Sequence, residues 1–242
     1  MPQANGANSA AGVAVRRIEA ALRARADAVA AVAMRRYMRY QFPFLGIPTP
    51  GRRRAQREAL AGVRLADEAA LLGAATALWT LPEREFQYAA VDLLASGVRR
   101  LSPGALPAIE RLITTKSWWD TVDGLAGSVA GRIVLAHPGA ETVMDHWIDD
   151  EDMWLRRSAL LHQLKWKERT DEQRLFRYCL ARAAEKEFFI RKAIGWALRQ
   201  YSWTNGEAVR QFVQEHEAEL SGLSRREALL ALNGGRSARA AR

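Results

Sequence analysis

A single cysteine, Cys179, stands among 242 residues, which excludes an intrachain disulfide framework and fits a reducing, cytoplasmic setting. Histidine is scarce too. His137, His146, His162 and His216 are scattered, and neither an HExxH nor a CxxC occurs. No spacing builds a metal site, so neither a metal nor another cofactor is expected. No apolar run approaches the roughly 20 residues of a membrane-crossing helix. The uncharged opening MPQANGANSAAGVA lacks the basic start and continuous apolar stretch of a signal peptide, and a soluble protein is expected. Glycine and proline are sparse, at 17 and 8 residues, and no strand pattern competes with helical periodicity, which argues against a sheet-rich fold.

What is present is alanine, leucine and arginine, a helix-favouring mixture, with a formal net charge of +9. The close NGGRSARAAR carries three arginines after a glycine pair; without it the body is still basic, at about +6, so anionic partners are expected. The expected organisation is a disordered lead over 1–14, a single domain over 15–232 and a disordered basic tail over 233–242. Helices are expected near 16–41, 50–62, 66–78, 82–96, 103–114, 117–135, 139–148, 151–167, 171–183, 186–202, 205–219 and 224–232.

Three segments resemble one another: EREFQYAAVDLL from Glu83, EDMWLRRSALLHQL from Glu151 and EKEFFIRKAIGWAL from Glu185. In each, an acidic start leads to an aromatic, Phe86, Trp154 or Phe188, and then to an amphipathic helix. The aromatics are 68 and 34 residues apart, two periods and one, and the missing repeat falls near residue 120. A period in the thirties with helix-pair content marks an α-helical solenoid, whose stacked repeats line a concave surface. The expected fold class is therefore all-α, a superhelical solenoid. Capping boxes are expected at Thr80 to Glu83, Thr170 to Gln173 and Ser224 to Glu227, with Ser117 to Asp120 as a shorter-armed relative.

The missing repeat holds TTKSWWDTVDGLAG, residues 114–127, with two adjacent tryptophans beside two aspartates. On a helix Trp118 shares a face with Val122, and Trp119 with Asp123. Asp120 has structural work at the helix start, where its charge meets orphan amides and the positive end of the dipole. Asp123, a turn later, has no such reward and is the better functional candidate, with a solvated aspartate as the alternative.

Arg52, Arg53 and Arg54 crowd another helix start, where they oppose the dipole unless a phosphate resolves the conflict. Arg157 and Arg191 occupy equivalent repeat positions and would form a stripe suited to a duplex backbone, with charge scattered by an arginine-rich composition as the alternative. Trp79, Trp147, Trp154 and Trp203 stand at packing positions. Trp196 has Lys192 four residues back and Arg199 three residues on. It fits the edge of a basic face, where an aromatic meets nucleic acid or a cationic base, or alternatively the core.

Together MRRYMRYQFPFLGIPTPGRRR, LWTLPEREFQYAAVDLL, TTKSWWDTVD, DMWLRRSALLHQLKWK, KEFFIRKAIGWALRQY and LSRREAL resemble the bacterial DNA alkylation-repair glycosylases built from HEAT-like repeats, the AlkD family. The resemblance runs from about residue 34 to 232 and departs only at the two ends. It implies a solenoid of HEAT-like repeats with a concave basic face. It implies hydrolysis of the N-glycosidic bond of positively charged N3- and N7-alkylated purines in duplex DNA. A monomer is the default expectation, since a concave repeat can embrace a duplex alone, and no membrane partner is expected. Motif by motif, it implies Trp119, Asp123 and Trp196 as active-site residues. Tyr37, Arg157, Lys165 and Arg199 are then DNA contacts, with Thr49 and Arg53 on the backbone. Without the resemblance, a DNA-binding solenoid lacking chemistry and a scaffold for an acidic protein stand beside the enzyme.

The implied chemistry accounts for the lone carboxylate. A ring-alkylated purine already carries positive charge, so it departs neutral and needs no general acid. As the bond stretches, charge moves to the deoxyribose, an oxocarbenium-like state. A fixed Asp123 would stabilise that charge first and orient water second. Trp119 and Trp196 would offer π faces to the cation. A shallow concavity offers no deep pocket, so recognition through backbone and sugar is expected rather than insertion of an extruded base.

Overall fold

The computed structural model describes residues 9–234, and among these the regular structure is helical, without strands. In chain order the helices are α1 (Ala10–Arg23), α2 (Ala28–Tyr37), α3 (Thr49–Ala59), α4 (Glu68–Thr80), α5 (Arg84–Gly97), α6 (Leu106–Thr114), α7 (Trp119–Leu125), α8 (Gly131–Ala136), α9 (Glu141–Trp147), α10 (Met153–Leu161), α11 (Glu172–Ala181), α12 (Phe188–Ser202), α13 (Gly206–Glu215) and α14 (Gly222–Gly234). The chain divides into two compact units, Met1–Ala108 and Ile109–Arg242.

In the first unit α1 packs on α3 and α4, and α5 on α3 and α4. The Ser9 hydroxyl accepts the Gly12 amide at 3.1 Å, and the alanine-rich run that follows has high helix propensity. Ala14, Ile18 and Leu22 of α1 are fully buried. The expected disordered lead is thus corrected from residue 9 onward; residues 1–8, and 235–242 of the expected tail, lie outside the described residues. The single helix expected over 16–41 is two, because Asp27 caps α2 by accepting the amides of Val29 and Ala30 at 2.9 and 3.0 Å. The loop before α3 is held from behind. Glu85, fully buried, accepts the amides of Leu45, Gly46 and Ile47 at 2.9, 2.8 and 3.0 Å, and so sets where α3 begins, at Thr49.

In the second unit α10 packs against α7, α9, α11 and α12, and α12 against α13 and α14. The sequence period survives as structure: α5, α7, α10 and α12 start at Arg84, Trp119, Met153 and Phe188, at intervals of 35, 34 and 35 residues. Hydrogen bonds repeat the same offset. Tyr178 donates to Asp145 across 33 residues, Trp166 to Gly131 across 35 and Ser224 to Arg191 across 33. Within the second unit, neighbouring repeats are therefore stitched side by side in register, the arrangement that makes repeat folds modular.

The expected capping boxes do not form. Thr80 ends α4 and donates to the Ala77 carbonyl. Asp171, one residue after Thr170, caps α11 instead. Ser117 donates back to Ile113, and the Glu227 carboxylate is drawn away to cations on α12. In each case a nearer or better-charged partner wins over the box geometry. Between α7 and α8 the helix widens into one π turn, Ala126–Ala130. Here Gly131 lies so close to the end of α10 that a Cβ would sit 1.9 Å from the His162 carbonyl oxygen.

Candidate active site

Asp123 lies in the second turn of α7, where its position one turn after Trp119 puts both on one face. Its carboxylate does not face open water. Both oxygens accept from Arg157 of α10, Oδ1 from Nε at 2.7 Å and Oδ2 from Nη2 at 2.8 Å, and the two side chains are only 11% and 5% exposed. The remaining Nη1 of Arg157 donates to the Phe189 carbonyl of α12. One guanidinium thus ties α7, α10 and α12 together at the level of Asp123.

Beside this link the three helix starts share an aromatic cluster. Trp118, the residue before α7, lies 5.9 Å from Trp154 and 5.2 Å from Phe189 between ring centroids, and Trp154 lies 5.0 Å from Phe189. Such tilted and edge-on pairs add about 0.5–1.5 kcal/mol each beyond area burial. Trp118 therefore packs across repeats while Val122 is fully buried. Trp79 and Trp147 are buried as expected, at 4% and 2% exposure, but Trp203 is 48% exposed and is corrected from a packing position to a surface one.

Burial pushes the Asp123 carboxyl upward, the Arg157 hydrogen bonds and charge pull it down, and Asp120 adds to the rise; the net direction is above the ordinary aspartate value. The solvated-aspartate alternative is excluded. The stripe expected from Arg157 and Arg191 is likewise corrected. Arg157 turns inward as the counter-ion of Asp123, and Arg191 donates to the Glu185 carbonyl at 2.9 Å. The missed signal was the period itself: Asp123 and Arg157 are 34 residues apart, one repeat, so opposite charges there come face to face.

Trp196 stands on α12 seven residues beyond Phe189. That is two turns along the same face, about 10 Å along the axis. It is half-buried. Its neighbour Gly195 lets α14 approach, since a Cβ there would lie 2.4 Å from the Glu227 Cβ and 2.8 Å from the Ser224 carbonyl oxygen. Glu227, brought in this way, accepts from Lys192 at 2.7 Å and from Arg199 at 2.8 Å. Burial opposes its ionisation, but the two cations hold its carboxyl below the ordinary range. The basic edge beside Trp196 is therefore partly neutralised from within, a feature that reading α12 alone missed.

Lys165, exposed, follows α10 and donates from Nζ to the Ser128 hydroxyl at 2.7 Å. The other site residues belong to the first unit. Tyr37 ends α2 and is 73% exposed; Thr49 is the exposed first residue of α3. Arg53 forks onto Asp92 at 3.0 and 3.0 Å, and buried Arg52 reaches the same carboxylate at 2.8 Å. Asp92, rather than a phosphate, answers the crowding of arginines at the start of α3. Burial opposes its charge, yet Arg53 and Arg52 hold its carboxyl low. Among the described residues no group of three or more His, Cys, Asp or Glu side chains is placed to hold a metal ion, and no helix is long and apolar enough to cross a membrane.

A helical-repeat chain with a buried carboxylate one turn from a tryptophan defines a class, and the comparisons with known proteins narrow it. A family model described as DNA alkylation repair enzyme matches residues 18–232, so the chain belongs to that family. It is also similar to a solved structure described as a predicted DNA alkylation repair enzyme from Enterococcus faecalis. The two share 35% identity over 86% of this chain and 97% of that one, with a TM-score of 0.79. No curated protein matches the chain.

Proposed function

We propose that this protein is a DNA glycosylase that acts in the cytoplasm on duplex DNA and releases positively charged N3- and N7-alkylated purines by hydrolysis of the N-glycosidic bond. The observation that carries the reading is the Asp123 carboxylate, one turn from Trp119 and immobilised by the Arg157 fork. In the reaction the bond from C1′ to the purine nitrogen breaks with its electron pair going to the base, which leaves neutral. A water oxygen bonds to C1′, and its proton passes to Asp123 or to solvent. Positive charge on the sugar peaks between these events, and a negative group that needs no reorganisation stabilises it best. The fork serves that end: it lowers the outward field of Asp123 but fixes its orientation, and each carboxylate oxygen keeps a second acceptor site.

Trp119 and Trp196 supply π faces for the cationic nucleoside, at about 0.5–2 kcal/mol each. Tyr37, Thr49, Arg53, Lys165 and Arg199 are proposed as DNA contacts of a monomer; Arg157 becomes a positioning residue for Asp123. A second reading, a DNA-binding repeat protein without chemistry, draws on the fact that both Asp123 oxygens already accept from Arg157. The test is release of free base from duplexes carrying N3-methyladenine, N7-methylguanine or an uncharged lesion. The glycosylase reading expects release of the two cationic bases and little of the neutral one; no release from any of them supports the binder.

A further inference from the structure

Across the second unit many cations are spoken for by carboxylates: Arg156 by Glu185, Arg157 by Asp123, Arg177 by Asp145, Arg182 by Asp149, and Lys192 with Arg199 by Glu227. Arg132 and Lys165 depart from this pattern. Both are exposed, and among the described residues neither pairs with a carboxylate. Both converge on one helical segment. The Lys165 ammonium sits on the Ser128 hydroxyl at 2.7 Å, and Ser128 and Arg132 are four residues apart on the continuous helix that runs through the π turn into α8. Like charges gathered on one segment repel, and an anion between them relieves the repulsion.

We propose that Ser128, Arg132 and Lys165 form a binding site for a backbone phosphate of duplex DNA, which rests on the DNA-directed reading above. The Ser128 hydroxyl accepts from Lys165, so its own proton is left to donate to a phosphate oxygen. Arg132 supplies a two-pronged donor and Lys165 a point charge. The sequence period supports a backbone role. Arg132, Lys165 and Arg199 are 33 and 34 residues apart, about one cation per repeat, with Arg199 already shared with Glu227. The π turn places Ser128 beneath Lys165, and Gly131 with the Trp166 indole, which donates to the Gly131 carbonyl at 2.9 Å, locks that segment against the end of α10.

The experiment is equilibrium binding of the full chain to an undamaged duplex over a salt series, for wild type, Arg132→Gln, Ser128→Ala and Arg177→Gln. Removing one phosphate contact lowers affinity several-fold and makes the slope of log K against log salt shallower by about 0.9. Arg132→Gln is expected to show both effects and Ser128→Ala a smaller loss of affinity. Arg177→Gln removes a charge that is also exposed but paired with Asp145, and is expected to leave the slope unchanged. Unaltered affinity and slope for Arg132→Gln, in a protein whose melting temperature is also unaltered, overturn the site. So does an equal change in Arg177→Gln, which would mean a general effect of net charge. Because the duplex carries no lesion, the outcome is independent of base release: a wild type that binds in this way but releases no base sinks the glycosylase reading and leaves the phosphate site standing.

Discussion

Asp123 and Arg157, one repeat apart in the chain, meet in a two-pronged ion pair of 2.7 and 2.8 Å whose third arm is anchored on the Phe189 carbonyl. The guanidinium fixes the carboxylate and joins three helices, so its shape matters as much as its charge. Arg157→Lys keeps the charge and loses the fork. Single-turnover release of 7-methylguanine from methylated duplex is expected to fall on the order of 10²-fold, the scale of a misplaced catalytic group. Arg157→Ala strands a buried carboxylate and is expected to cost about 3–5 kcal/mol in denaturant unfolding. Undiminished release by Arg157→Lys would mean that the fork does not position Asp123 for the reaction.

The raised Asp123 carboxyl has a consequence for pH. The ionised form is the active one, so activity is present above its shifted value and is lost as the pH falls through it. The acid limb of the rate profile is therefore expected at higher pH than an ordinary aspartate would give. Asp120 contributes to the rise, and Asp120→Asn is expected to move that limb toward lower pH. A limb that stays in place in Asp120→Asn contradicts the assignment of the titration to Asp123.

Glu227 neutralises part of the cationic edge on either side of Trp196. Glu227→Gln frees charge on Lys192 and Arg199 for phosphate, and duplex affinity is expected to rise several-fold at low salt with a steeper dependence on salt. Fluorescence titration against an unmodified duplex reads both. Weaker binding would show instead that Glu227 orders the two cations for contact with DNA.

His162 is buried beside Trp166 and Tyr178, their ring centroids 5.1 and 6.0 Å away, and its Nδ1 donates to the Ala159 carbonyl at 2.6 Å. Burial lowers its value to about 4, against 6.5 for an ordinary histidine. A base depressed in this way contributes stability that is complete above pH 6.5 and is lost as the pH falls toward 4, by about 3 kcal/mol. His162→Gln is expected to flatten this part of the stability curve in denaturant titrations at pH 7, 5.5 and 4. An equal slope in the variant would assign the acid sensitivity to the carboxylates.

Much of this was legible in the sequence because the determinants are local or periodic. The acidic-aromatic-amphipathic pattern carries the 34-residue repeat, and the helix starts at Trp119, Met153 and Phe188 follow it. Trp119 and Asp123 could be placed on one face from their spacing alone. The partners of charged residues were harder to read. Arg53, Arg157 and Arg199 all look like free surface cations along their own helices, yet each meets a carboxylate delivered by another helix, Asp92, Asp123 and Glu227. Capping follows the same logic: a box motif records which bonds could form locally, whereas α14 starts two residues earlier with the Ser221 hydroxyl accepting the Ser224 amide at 3.0 Å, and the Glu227 carboxylate pairs with cations on α12.

The most direct test of the account is the rate of 7-methylguanine release from a methylated duplex at saturating protein, wild type against Asp123→Asn. The substitution preserves shape and removes the negative charge. The account predicts a rate on the order of 10²-fold lower or less, with duplex binding retained. Equal rates in the two proteins would contradict it, since the charge of Asp123 would then do nothing for the sugar as its base departs.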